Sequence, residues 1–228
     1  MIFYDATYIL VLLGALLSLI ASLVLRVTVK KYAKVISSRG MTAEQVADRI
    51  LRDAGIYDVQ IERISGNLTD NYSPKEKVLH LSQSTYGSAD ITAIGVAAHE
   101  CGHAIQHATG YALIGLRSAL VPVVNIGSWL SWPLILVGLF LGASQLAMFG
   151  VYCFAAVVVF QLITLPVEIN ASRRALAVLR ESSMLTEEEL PGARKVLIAA
   201  AMTYVAALAS SILQLLRLLL IVGGGRRR

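Results

Sequence analysis

Two histidines four residues apart, with a glutamate beside the first, stand in His99-Glu100-Cys101-Gly102-His103. On a helix, residues at that spacing share a face and lie about 6 Å apart along the axis. Two imidazoles so placed can bind one Zn²⁺, and Glu100 falls near the position they leave open on the metal. There a carboxylate can take a proton from an attacking water and hand it to a leaving amine. Residue types and spacing thus point to metal-assisted hydrolysis of a peptide bond, on condition that the segment is helical. The plainer reading is a pair of polar-face histidines packed against membrane headgroups.

Such a site needs a third protein ligand. His107 continues the series, but on a straight helix it lies about 12 Å from His99, too far to share an ion with bonds near 2 Å. It is expected at the rim of the site or behind a ligand. The longer variant of the motif would require a histidine at position 109, which is Thr109. His80 reads as a strand or cleft-lining residue. Glu168 is the better candidate, at the start of the helix expected after the third apolar stretch. A lone glutamate opening a helix can also be there only because the helix dipole favours it. Glu181 and Glu187–Glu189 read as a solvated acidic face.

The elements that must position these residues are mostly apolar. Of 228 residues 56% are hydrophobic and 15% charged, and the mean hydropathy is +0.67. Soluble domains average about 25% charged, so disorder and an ordinary soluble globule are excluded. The excess is clustered in Thr7–Leu25, Ala119–Leu141, Leu146–Leu165 and Val196–Val222, each near the roughly 20 residues a spanning helix needs. Arg217 in the last stretch leaves open whether that segment crosses fully, so three or four transmembrane helices are expected. The first reads as a retained anchor, since it lacks a basic leader and ends in Arg26. The cysteines, Cys101 and Cys153, make no disulfide framework.

Between the first and second stretches lies polar sequence. Thr42-Ala-Glu-Gln45 is a capping box opening a helix that carries Val46, Ile50 and Leu51, with Gly55 as a stop. Val59-Gln-Ile61 alternates, and Lys77–Ser82 reads as a strand. Its Val78, Leu79, His80 and Leu81 are expected to offer an edge on which an extended substrate could add. Ser88 or Asp90 then caps a helix from Ile91 to Ala108, so the histidine motif is helical by pattern. A separate helix is expected at Val167–Arg180.

The net charge is +5. Arg26, Lys30, Lys31, Lys34 and Arg39 follow the first apolar stretch, and Arg226–Arg228 close the chain. Without aromatic–basic alternation these report topology and lipid headgroups, not nucleic acid. With Asp5 the sole charge before the first stretch, the positive-inside rule puts residues 26–111 in the cytoplasm, and two further crossings return Glu168 to that side. No stretch carries the paired charges of a transporter site.

His99–His103 with Gly110-Tyr111, the upstream Leu68-Thr-Asp-Asn-Tyr72 and Leu79-His-Leu-Ser82, and the downstream Val167-Glu-Ile-Asn-Ala-Ser-Arg-Arg174 together resemble the bacterial YugP-type membrane zinc metallopeptidases. The resemblance covers nearly the whole chain and extends more distantly to HtpX and Ste24-type peptidases. It implies one Zn²⁺ on His99, His103 and Glu168, with Glu100 as the base. In the distant relatives an acidic residue usually stands four positions after the glutamate. Here that position is Ser172, with Asn170 two after, and either could orient a histidine's second nitrogen. The implied fold class is a mainly α membrane protein with a small α+β zincin-like peptidase domain between the first and second spans. Its expected parts are an anchor (1–27), the peptidase domain (28–112), a transmembrane hairpin (113–165), a ligand-bearing helix (166–195) and a C-terminal hydrophobic segment with a basic tail (196–228). The expected function is a multi-pass, cell-membrane zinc endopeptidase acting on peptides or proteins, membrane proteins among them, with its site on the cytoplasmic side. The alternative is a catalytically silent scaffold that keeps the fold, though such a protein has no physical need for Glu100.

Overall fold

The structure, a computed structural model, describes residues 6–224; Asp5 and Arg226–Arg228 lie outside them. The described elements are α1 (Tyr8–Tyr32), α2 (Ala43–Asp53), β1 (Gln60–Ile64), β2 (Asn71–Ser73), β3 (Val78–Ser82), α3 (Ile91–Ala108), α4 (Ala112–Phe140), α5 (Ser144–Glu181) and α6 (Leu190–Gly224). The chain is mainly helical, and α1, α4, α5 and α6 are long and apolar enough to cross a membrane. It divides into two compact units.

One unit takes the chain up to Ser22, Leu116–Leu165 and the chain from Met202 onward. Its helices pack through small residues. A Cβ on Gly14 of α1 would come within 3.1 Å of the Ser210 Cα on α6, and the Ser210 hydroxyl donates to the Gly14 carbonyl at 2.6 Å. Close backbone approach with interhelical hydrogen bonds is how helices associate where lipid removes the hydrophobic drive. The α4–α5 hairpin is built likewise, with Gly150 against Ile135 and the Ser131 carbonyl.

The other unit comprises Leu23–Gly115 and Pro166–Ala201. In α2 the Gln45 side chain accepts from the Thr42 amide at 3.1 Å, half of the expected capping box, while Val46, Ala47, Ile50 and Leu51 bury one face. Asp90 is the cap of α3, accepting from the Ala93 amide at 2.9 Å. Asp90→Ala should lower stability by about 1 kcal/mol, read as the unfolding midpoint of the solubilised protein; an unchanged midpoint would show that Ser88 can take over the cap.

The sheet has the order β1-β3-β2. β3 runs parallel to β1, from Gln60↔Val78 to Ile64↔Ser82, and antiparallel to β2, from Asn71↔His80 to Ser73↔Val78. The expected edge, Val78–Leu81, is therefore central. The reason lies in Leu68–Tyr72: Asp70 clamps the amide and hydroxyl of Ser82 at 2.8 and 2.9 Å, and the chain folds back as β2 along β3. Burial agrees, because Val78, Leu79, Leu81 and Ser82 are all buried, the near-continuous run of a covered strand and not the alternation of an edge.

Two further expectations are corrected. Val167–Arg180 is not a separate helix, because α5 runs unbroken through Pro166. An interior proline costs about 3 kcal/mol, but Val167, Ala171, Ala175 and Leu179, spaced four apart, are all buried beyond it. That burial holds the helix. Glu189 is likewise not a free residue of a solvated face, being half-buried and engaged by three donors. It accepts from the Ser38 amide at 2.7 Å, the Ser37 hydroxyl at 3.1 Å and the Thr186 amide at 3.0 Å. Burial works against its charge, yet these donors outweigh it and hold the carboxyl below the usual range.

Candidate metal centre

α3 presents His99 and His103 on one face, their ring centroids 4.8 Å apart and nearly perpendicular. α5 lays Glu168 against them. Its Oε2 lies 3.2 Å from His99 Nε2 and 3.6 Å from His103 Nε2, and the three candidate ligand atoms fall within 4.8 Å of one another. Two ligands on a tetrahedral zinc with bonds of about 2.0–2.1 Å stand about 3.3 Å apart. The carboxylate–imidazole separations match such an edge, and the donor set, two neutral imidazoles and one carboxylate, suits zinc.

The crossing is close because the fourth motif residue has no side chain. A Cβ on Gly102 would sit 2.5 Å from the Ala171 carbonyl oxygen and 3.1 Å from its carbonyl carbon and Cα. Ala171 is three residues beyond Glu168, so the helix backbone bearing the carboxylate rests directly on the motif.

Both imidazoles are held from behind. His99 Nδ1 meets the Ser172 hydroxyl at 3.1 Å. His103 Nδ1 meets Gln106 Oε1 at 2.9 Å. The Gln106 amide nitrogen donates to the Val167 carbonyl and to Asn170 Oδ1, both at 2.9 Å, and Arg174 Nε donates to the same Asn170 oxygen at 2.9 Å. With its amide nitrogen committed to two acceptors, Gln106 can only accept from His103. That assigns a proton to His103 Nδ1 and turns Nε2 toward Glu168. Ser172 thus orients a histidine directly, whereas Asn170 acts through Gln106.

Gln106 was not anticipated. It stands one turn past His103 with nothing local to mark it, and in the structure it is 0% exposed. Glu168 is 2% exposed, a buried carboxylate whose charge faces two imidazoles. Burial disfavours a charged His103, but the Glu168 hydrogen bond and the Glu100 charge outweigh it and raise its pKa. Burial pushes the Glu100 carboxyl above the usual carboxylate range, opposed by His99 and His103. Among the described residues no donor hydrogen-bonds the Glu100 carboxylate, so its oxygens remain available. His107 lies elsewhere: its ring centroid is 5.7 Å from that of Tyr72, in a pocket of about 290 Å³ that Asp58 and Lys77 also line. His80 joins the sheet face, with Nδ1 3.1 Å from Asn71 Oδ1.

The family described as "Putative neutral zinc metallopeptidase" matches residues 7–223. The chain belongs to that family. A relative, the "Putative membrane protease YugP" of Bacillus subtilis (strain 168), is 46% identical over 176 residues, which cover 77% of this chain and 78% of the relative. No solved structure matches.

Proposed function

We propose that this protein is a membrane-anchored, zinc-dependent endopeptidase that cleaves peptide bonds next to the cytoplasmic membrane surface. One observation carries the reading: His99, His103 and Glu168 converge on one point, and Glu100 sits beside them on the motif helix. The family description and the name of the Bacillus relative support the same chemistry.

His99, His103 and Glu168 would hold the zinc, which when bound polarises a carbonyl and acidifies water. Glu100 accepts the proton of the attacking water and returns it to the leaving amine. Ser172 and the Gln106–Asn170–Arg174 chain keep the imidazoles in one tautomer and orientation. Extended peptide adds to β2, the sheet edge whose Tyr72 reaches His107 on the motif helix, with main-chain hydrogen bonds aligning it. Glu168 stands three residues past the apolar stretch ending at Leu165, which supports a site at the membrane surface rather than its midplane.

Metal analysis tests this. Purified wild-type protein should carry about one equivalent of zinc, and His103→Ala should lose most of it. Less than about half an equivalent, unaffected by His103→Ala, would leave the silent-scaffold reading in its place.

A further inference from the structure

Glu168 uses one face of α5; the adjoining face carries a different chemistry. Arg173 and Arg180 of α5, Glu187 of the following loop and Arg194 of α6 surround a cleft of about 440 Å³, with Leu176 and Leu190 among its apolar walls. Arg173, Leu176 and Arg180 recur at three- and four-residue steps, so they share a helix face by register. Among the described residues, no side-chain hydrogen bond or ion pair engages Arg173 or Arg194. Arg180 faces Glu187 at 3.9 Å, both well exposed, a pair worth little. Three guanidinium groups thus surround one concavity that contains a single carboxylate. Like charges so gathered repel one another, and an anion between them relieves that repulsion. The guanidinium fork matches phosphate oxygens in geometry as well as charge.

The setting narrows the anion. α5 and α6 are both candidate membrane helices. Arg194 precedes the apolar stretch that begins at Val196 by two residues, and Arg173 follows Leu165 by eight. Basic pockets between such helices on the cytoplasmic side bind anionic headgroups, and apolar walls beside the arginines suit the glycerol and upper acyl region. We propose that this cleft binds the phosphodiester headgroup of an anionic phospholipid, held chiefly by Arg173 and Arg194. The site is separate from the metal centre and does not depend on peptide cleavage.

Native mass spectrometry of the full chain in detergent, with phosphatidylglycerol or phosphatidylcholine added in equal amounts, tests it. The wild type should retain phosphatidylglycerol preferentially, and Arg173→Ala/Arg194→Ala should weaken that retention by about tenfold or more. The double variant Arg63→Ala/Lys75→Ala removes the same charge elsewhere and should retain the lipid as the wild type does. Glu187→Gln removes the carboxylate of the cleft and should strengthen retention, which keeps the proposal testable if the double arginine variant fails to fold. No preference in the wild type, or equal loss in both double variants, would overturn the site. Displacement of the lipid by millimolar inorganic phosphate would overturn its assignment to a lipid.

Discussion

Glu100→Gln is expected to reduce peptide cleavage by a factor of about 10² to 10⁴ while the zinc content stays at the wild-type level. The substitution keeps the shape of the side chain and removes its basicity, and positioned general bases contribute rate factors of that order. Metal should be retained because the three convergent ligand atoms belong to His99, His103 and Glu168. Burial strengthens the expectation: it raises the Glu100 carboxyl toward the proton affinity a base needs near neutral pH. Cleavage of a fluorogenic peptide, normalised to bound zinc, is the measurement. Wild-type turnover by this variant would place the base elsewhere, whereas loss of zinc together with activity would make Glu100 a structural or ligand residue.

Gly102→Ala is expected to be nearly as damaging, although Gly102 has no side chain to offer a metal or a substrate. The added Cβ would meet the Ala171 backbone at 2.5 Å, and a backbone cannot rotate away as a side chain can. α5 must then move back from α3, taking Glu168 and Ser172 with it. Ligand positions tolerate only about ±0.2 Å, so zinc affinity should fall at least as far as on losing an outer-shell partner, about 10- to 100-fold. Overpacking should also cost about 1–3 kcal/mol of stability. Gly95→Ala is the control, since its Cβ would find Ala193 at an ordinary 3.7 Å and alanine favours a helix. Zinc titration of both variants against a chelator of known affinity reads the difference. Wild-type affinity in Gly102→Ala would show that the helix crossing does not set the carboxylate.

These two residues also mark where sequence reading succeeds and where it stops. The helicity of His99–His103, the Gln45 cap contact and the burial of Val46 and Ile50 are local facts of spacing, and the structure shows each of them. Glu168 could be singled out because few carboxylates stand at the edge of an apolar stretch. Gln106 could not: its role depends on Asn170 and Arg174, which come more than sixty residues later. Cys101 sits within the motif but points away from it, its sulfur 3.7 Å from the Ala47 carbonyl. Burial pushes that thiol above its ordinary pKa, so it packs as a small apolar residue.

The misplacement of the sheet edge has the same origin. A strand's own pattern reports which faces are covered, not which neighbours it pairs with. Asn71–Ser73 is too short to announce itself, yet by pairing with β3 it makes Val78–Leu81 central. Pro166 misled in the opposite direction, since a local breaker was overruled by burial of Val167, Ala171, Ala175 and Leu179 against other elements.

By itself the sequence determined the chemistry available to this protein: two imidazoles and a carboxylate at helical spacing, and long apolar stretches with basic edges. Those follow from periods of 3.6 residues and from composition, which need no knowledge of contacts. Only the tertiary structure decided which carboxylate faces the histidines, which amide holds His103 in its tautomer and which strand lies at the centre of the sheet. Each of those depends on two segments meeting across tens of residues. At the candidate metal centre that meeting is set by a single missing Cβ, where Gly102 lets the backbone of α5 rest on α3.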